Sequence, residues 1–166
     1  MPTFNSYLYD FAVHGPGPYP LPSAGVLASV GAVTPIDLSV PMAVASSLAS
    51  AGQPVPPSAT GVAMLDTGAS LTCVHEPLLT GLGLHPVGSI TSGTAAGQVQ
   101  QSLYVALLSF PQIGWIGDLA VVGVDLTGQQ VGTAPPQKLD ALIGRNLLQN
   151  WTLVWHGSAG HWSIST

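Results

Sequence analysis

The sequence predicts an all-β domain with one short helix, and three observations carry that prediction. Twenty glycines and 15 prolines among 166 residues interrupt the chain too often for long helices. Apolar residues gather in strand-sized runs, such as 103–110 and 119–124, bounded by Gly, Pro and Ser. At roughly 100 to 200 residues per domain, the length makes one domain and leaves no room for two similar lobes.

Residues 1–33 are rich in Pro, Gly and Ser with scattered aromatics (Phe4, Tyr7, Tyr9, Phe11, Tyr19). They read as an N-terminal arm or pro-segment, or simply a linker, ahead of a domain over 34–166. Residues 35–40 alternate apolar and polar as a half-buried strand does, residues 43–48 suit a second short strand, and 51–60 form a Pro-rich loop. The apolar run 61–65 enters Asp66-Thr67-Gly68-Ala69-Ser70, after which 71–74 is apolar again; this is strand, tight turn, strand. Residues 76–82 suit a short helix with Pro77 in its first turn. Residues 88–97 are small except for Ile90 and read as a hairpin tip or loop. The run 99–110 is apolar on both faces, as a central strand is. Residues 118–124 and 140–144 are further strands, the second ended by Gly144, and 145–150 have helical spacing with Leu147 and Leu148 inward. Two β runs, 151–155 and 161–164, flank Gly157-Ser158-Ala159-Gly160 as a hairpin.

Charge is scarce: Lys138, Arg145 and seven carboxylates, 5% of the chain, with a net charge of −5. Two cations cannot neutralise a row of phosphates, so nucleic acid is not an expected partner. A coiled coil lacks its Glu and Lys, and 46% hydrophobic residues can bury a core, against disorder. Mean hydropathy is +0.45, yet the uncharged stretch 38–64 carries Pro41, Pro54, Pro56 and Pro57, so no membrane-spanning helix is expected. No basic leader followed by an apolar segment is visible; the expectation is a soluble protein, cytoplasmic by default, its compartment otherwise open. A single cysteine, Cys73, allows no internal disulfide.

The candidate site is the turn at 66–70. An Asp at the end of an apolar strand, with Gly two residues on, is presented by backbone that can approach another group closely. One carboxylate is a poor catalyst of amide hydrolysis. Two that lie together share one proton, so that one acts as base on water while the other donates to the carbonyl oxygen. The sequence has only one such turn, so the second carboxylate must come from elsewhere.

Asp66-Thr67-Gly68-Ala69-Ser70, preceded by Ala63-Met64-Leu65 and followed by Ala141-Leu142-Ile143-Gly144-Arg145-Asn146-Leu147-Leu148, resembles the retropepsin-like aspartic proteases: the retroviral enzymes and their single-lobed cellular and bacterial relatives. The resemblance covers residues 61–166 and the strand from Pro35. It implies a closed β-barrel of the acid-protease type, one half of a two-lobed active dimer. Asp66 would be the catalytic carboxylate, one per subunit on a two-fold axis. Thr67 would brace the paired turns, Gly68 would present its carbonyl to substrate, and Ala69 and Ser70 would complete the loop. Thr91, Ser92, Gly93, Thr94, Ala95, Ala96 and Gly97 would form a flap closing over the peptide. Ile143 and Gly144 would pack beside the catalytic loop, with Arg145 and Asn146 opening the following helix. One position departs from the viral pattern: the residue four after the catalytic Asp, acidic there and paired with the helix Arg, is Ser70 here, leaving Arg145 to a carbonyl, to Asp140 or to another carboxylate.

The function expected is therefore an aspartic endopeptidase acting on extended polypeptides as a C2 homodimer, without cofactor or metal; the alternative is a catalytically silent dimeric module for peptide binding or assembly. Thr67 and Ser70 lack a neighbouring base that would make them nucleophiles. His14, His75, His85, His156 and His161 lack metal-site spacing and read as surface or hairpin residues. Cys73 reads as a small buried apolar residue, Trp151, Trp155 and Trp162 as hairpin and interface packing, and Trp115 as packing or the rim of a cleft.

Overall fold

A computed structural model describes residues 3–7, 24–94, 97–132 and 136–166, with backbone alone at 3–7 and 94. The elements in chain order are β1 (Thr3–Tyr7), α1 (Ala24–Val30), β2 (Val33–Ser39), α2 (Met42–Ser50), β3 (Ala59–Leu65), β4 (Cys73–His75), α3 (Glu76–Gly81), β5 (Gly88–Thr94) and β6 (Gly97–Phe110). They continue as β7 (Trp115–Val124), β8 (Gln130–Val131), β9 (Gln137–Lys138), β10 (Ala141–Ile143), α4 (Arg145–Leu148), β11 (Thr152–His156), a 3₁₀ turn (Gly157–Ala159) and β12 (His161–Ser165).

Six strands close into a barrel in the order β2-β3-β10-β4-β7-β6, and β6 pairs back onto β2. Closure removes the free edges that an open sheet would expose. β5 lies outside the ring, paired only with β6. β6 pairs with β5, β7 and β2 and is the central strand its two apolar faces predict. Its Tyr104, Ala106, Leu108 and Phe110 point into the core with Ile36, Leu38, Val74, Val121, Ile143 and Leu147. A mainly-β closed barrel with few helices is the fold class expected from the sequence. A second sheet, β1-β12-β11, is built within one chain, with Tyr7 opposite His161 and Trp155 opposite Trp162.

Helix content is higher than an all-β domain with one short helix implies: four α-helical segments occur among the described residues, of which α3 and α4 fall where 76–82 and 145–150 read as helical. Residues 43–48 are helical rather than extended. Val44 and Leu48 stand four apart, the spacing of one helix face, and the alanines around them favour helix. That helix buries none of its residues. Residues 24–30, read as part of an arm, form α1 instead, with Val26, Leu27 and Val30 buried and Leu27 inside the barrel core. Apolar residues at i, i+1 and i+4 give one helical stripe, which the flanking Pro and Gly obscure in the sequence. Of the described helices, none is long and apolar enough to cross a membrane.

Candidate active site

β10 lies between β3 and β4, parallel to β3 with Ile143 beside Leu65. This inserts residues 141–146 directly beneath the turn 66–70. Asp66 N–H donates to Ile143 O (2.9 Å), Arg145 N–H to Ala69 O (2.9 Å) and Asn146 N–H to Ser70 O (3.1 Å). The two segments are thus tied backbone to backbone along their length. Asp66 is half-buried, Thr67 and Gly68 are exposed, and Asp66 Oδ1 accepts the N–H of Gly68 at 2.8 Å. That bond is the turn Asp makes with its own backbone; it fixes the carboxylate through one of its two oxygens.

Arg145 fastens the turn from its side chain. Nη1 donates to Thr67 O (2.7 Å) and Gly68 O (3.1 Å), and Nη2 to Ser70 Oγ (2.9 Å). Of the partners left open by the sequence, carbonyls and a hydroxyl are the ones found; Asp140 instead pairs with Lys138 at 3.1 Å and accepts Val62 N–H. Asn146 works deeper. Its Oδ1 accepts both Thr72 N–H (2.8 Å) and Thr72 Oγ1–H (2.9 Å), and its amide donates to Ala120 O (3.3 Å). Thr72 Oγ1 in turn accepts Gly144 N–H at 3.1 Å. Fully buried Thr72 is therefore satisfied on every side, as a buried hydroxyl must be.

Gly144 is required by close approach. A Cβ there would lie 2.8 Å from Thr72 N and closer still to the Leu71 carbonyl, which backbone cannot yield to. Gly68 is tight for a milder reason: its Cβ would stand 3.1 Å from Asp66 Oδ1.

A cavity of about 390 Å³ opens above this floor, between Gly68, Ala69, Ser70 and Leu71 on one side and Ile90, Thr91, Ser92 and Gly93 of β5 on the other. Cys73, Gln101 and Val122 complete its wall. Of the hairpin tip or loop expected here, the hairpin is what forms: Ile90 pairs with Gln101, Ser92 with Val99 and Thr94 with Gly97. Ala95 and Ala96 of the expected flap lie outside the described residues. Cys73 is half-buried rather than a core residue, and burial, with the Asp66 carboxylate second, raises its thiol pKa above the usual range.

Other expectations resolve as follows. Trp115 packs against Phe110 and Trp151, with ring centroids 5.9 and 5.8 Å apart, and is not part of the cavity wall. His75 is buried, not superficial, its Nδ1 accepting Leu126 N–H at 3.2 Å. His156 and His161 stack across the hairpin at 4.2 Å, and His14 lies outside the described residues. The sequence reading missed Thr72, Gln101 and Val122. Thr72 alone had a signal: a polar residue between apolar Leu71 and Val74 must find a buried partner. Gln101 and Val122 reach the cavity only through strand register, which no local motif encodes.

No protein-family model matches the chain, and no curated protein matches it. Among solved structures it is similar to the solution structure of the simian foamy virus (mac) protease, at 17% identity over 70% of this chain and 92% of that one, with a TM-score of 0.40.

Proposed function

We propose that the chain is an aspartic endopeptidase, active as a C2 homodimer in which Asp66 of each subunit contributes one carboxylate. The observation that carries this reading is the Asp66 turn itself: a half-buried carboxylate, fixed by Gly68 N–H and by a floor of Arg145 bonds, beside a cavity roofed by a hairpin. The resemblance of the flanking motifs to retropepsin-like proteases supports it.

In the dimer the two carboxylates hold one proton between them. The ionised one takes a proton from water as the water oxygen attacks the scissile carbonyl carbon, and the protonated one donates to the carbonyl oxygen. Collapse of the tetrahedral diol breaks the C–N bond: the carboxyl that took the water proton gives it to the leaving nitrogen, and one diol hydroxyl returns its proton to the other carboxylate as the carbonyl re-forms, which restores the shared proton. An extended peptide lies along the cavity between the turn and β5, whose outer edge is unpaired in its sheet and offers main-chain partners to a strand-like substrate. Closure of the roof excludes bulk water and leaves the attacking water molecule inside.

Purified protein is incubated with a peptide library from acid to neutral pH, with and without a statine-type transition-state analogue. Analogue-sensitive cleavage with a bell-shaped pH profile, abolished in a folded Asp66→Asn variant, is the expected result. Cleavage that survives Asp66→Asn refutes the role of Asp66. A dimer that binds peptides without cutting any establishes the silent module instead.

A further inference from the structure

We infer that the Ser70 end of the cavity recognises an acidic side chain, Asp or Glu, of the bound peptide, with Arg145 supplying the charge and Ser70 the contact. The recognition rests on the geometry of one chain; that the peptide is then cut rests on the reading above.

Ser70 lines the cavity, and its Oγ lies 2.9 Å from Arg145 Nη2. A guanidinium only donates, so Ser70 accepts there. Its own hydroxyl proton is left to point at whatever occupies the cavity. Arg145 is held by three bonds, all to neutral oxygens, and no carboxylate partner of Arg145 is found among the described residues. Two carbonyl dipoles and a hydroxyl offset only part of a full positive charge. The other cation of the chain, Lys138, is already paired with Asp140. The positive charge available to that end of the cavity is thus that of Arg145, acting through a hydroxyl that it polarises. Next to this donor, Leu71, Cys73, Ile90 and Val122 line the wall and suit the methylene stem of a side chain whose head is a carboxylate. The position that is acidic in the viral pattern would neutralise the arginine and repel such a head. Serine does neither.

The test uses fluorogenic peptides identical except for Glu or Gln at each position flanking the scissile bond. At one position the wild-type kcat/KM for Glu is expected to exceed that for Gln about tenfold, the worth of one charge-assisted hydrogen bond in a partly screened site. The preference should shrink between about 0.05 M and about 0.5 M salt. Ser70→Asp gives Arg145 a carboxylate partner and should erase or invert the Glu:Gln ratio, and Ser70→Ala should reduce it. The ratio is read, not the absolute rate. The same peptides are titrated onto Asp66→Asn protein by fluorescence anisotropy, alone and combined with Ser70→Asp. Cleavage that treats Glu and Gln alike at every position overturns the inference and leaves the protease reading intact. Absent cleavage with Glu-selective binding, lost on Ser70→Asp, does the reverse; indifference in both assays overturns the inference outright.

Discussion

The turn 66–70 and the β5–β6 hairpin face each other across one cavity, and both are made of small residues: Gly68, Ala69 and Ser70 below, Ser92 and Gly93 above. They are held in opposite ways. The turn is tied to α4 and β10 by three backbone bonds, three from Arg145 and, beneath them, the Thr72–Asn146–Gly144 network. The roof is held by its own ladder, since β5 pairs with β6 alone, and Gln98, Val99 and Gln100 are exposed. Bending the roof therefore breaks few buried contacts, whereas moving the floor leaves buried polar groups unpaired. Local opening follows that kind of difference. Under the proposed reading, a site built this way would keep its carboxylate fixed and let its cover adapt to a peptide.

The comparison is most severely strained by Gly144→Ala. Its Cβ meets the Leu71 and Thr72 backbone, so urea unfolding should show a loss of about 3 kcal/mol; a neutral substitution means that the floor yields more easily than described. Asn146→Ala comes next. It leaves the buried Thr72 N–H and hydroxyl without their acceptor, a cost of about 2 kcal/mol, and should lower kcat more than it raises KM because it loosens the turn rather than the wall. On the roof, Val99→Ser should change stability by no more than about 0.5 kcal/mol and act on KM. A cost equal to that of Asn146→Ala there would erase the distinction between the two walls.

The smallest effect is electrostatic. The Cys73 thiol titrates above its usual range, first through burial and then through the Asp66 carboxylate. Alkylation by iodoacetamide should therefore be slow at neutral pH and accelerate as pH rises. Removing the negative charge with Asp66→Asn should shift that acceleration to lower pH; an unmoved profile would separate Cys73 from the Asp66 turn.

The parts of this architecture that sequence revealed are those written in contiguous residues. The turn at 66–70 has its Asp and Gly two residues apart, and the 141–148 segment has its own apolar run, Gly and Arg, so both were legible. The absence of an acid at Ser70 left Arg145 to a carbonyl, to Asp140 or to another carboxylate, and only the fold decides among these. The helix α1 was hidden because a segment of only seven residues, too short to hold a helix alone, takes its helical form from packing Leu27 into the core, which is a tertiary effect. Cavity walls were hidden for a related reason. Gln101 stands beside Ile90 only because β6 pairs with β5 in one register, and Val122 beside Cys73 only because β7 pairs with β4 in one register; register is decided by the whole sheet.

The central claim is that Asp66 acts in a pair drawn from two chains, and subunit mixing tests it most directly. A fixed amount of wild-type protein is equilibrated with an equal amount of Asp66→Asn protein, and cleavage is compared with wild-type protein alone. If the site needs one Asp66 from each subunit, random exchange places about half of the wild-type chains in mixed dimers, and the rate falls to about half, and further with excess variant. A rate that stays unchanged as the variant is added in excess would show that each chain works without the other's carboxylate, contradicting the account.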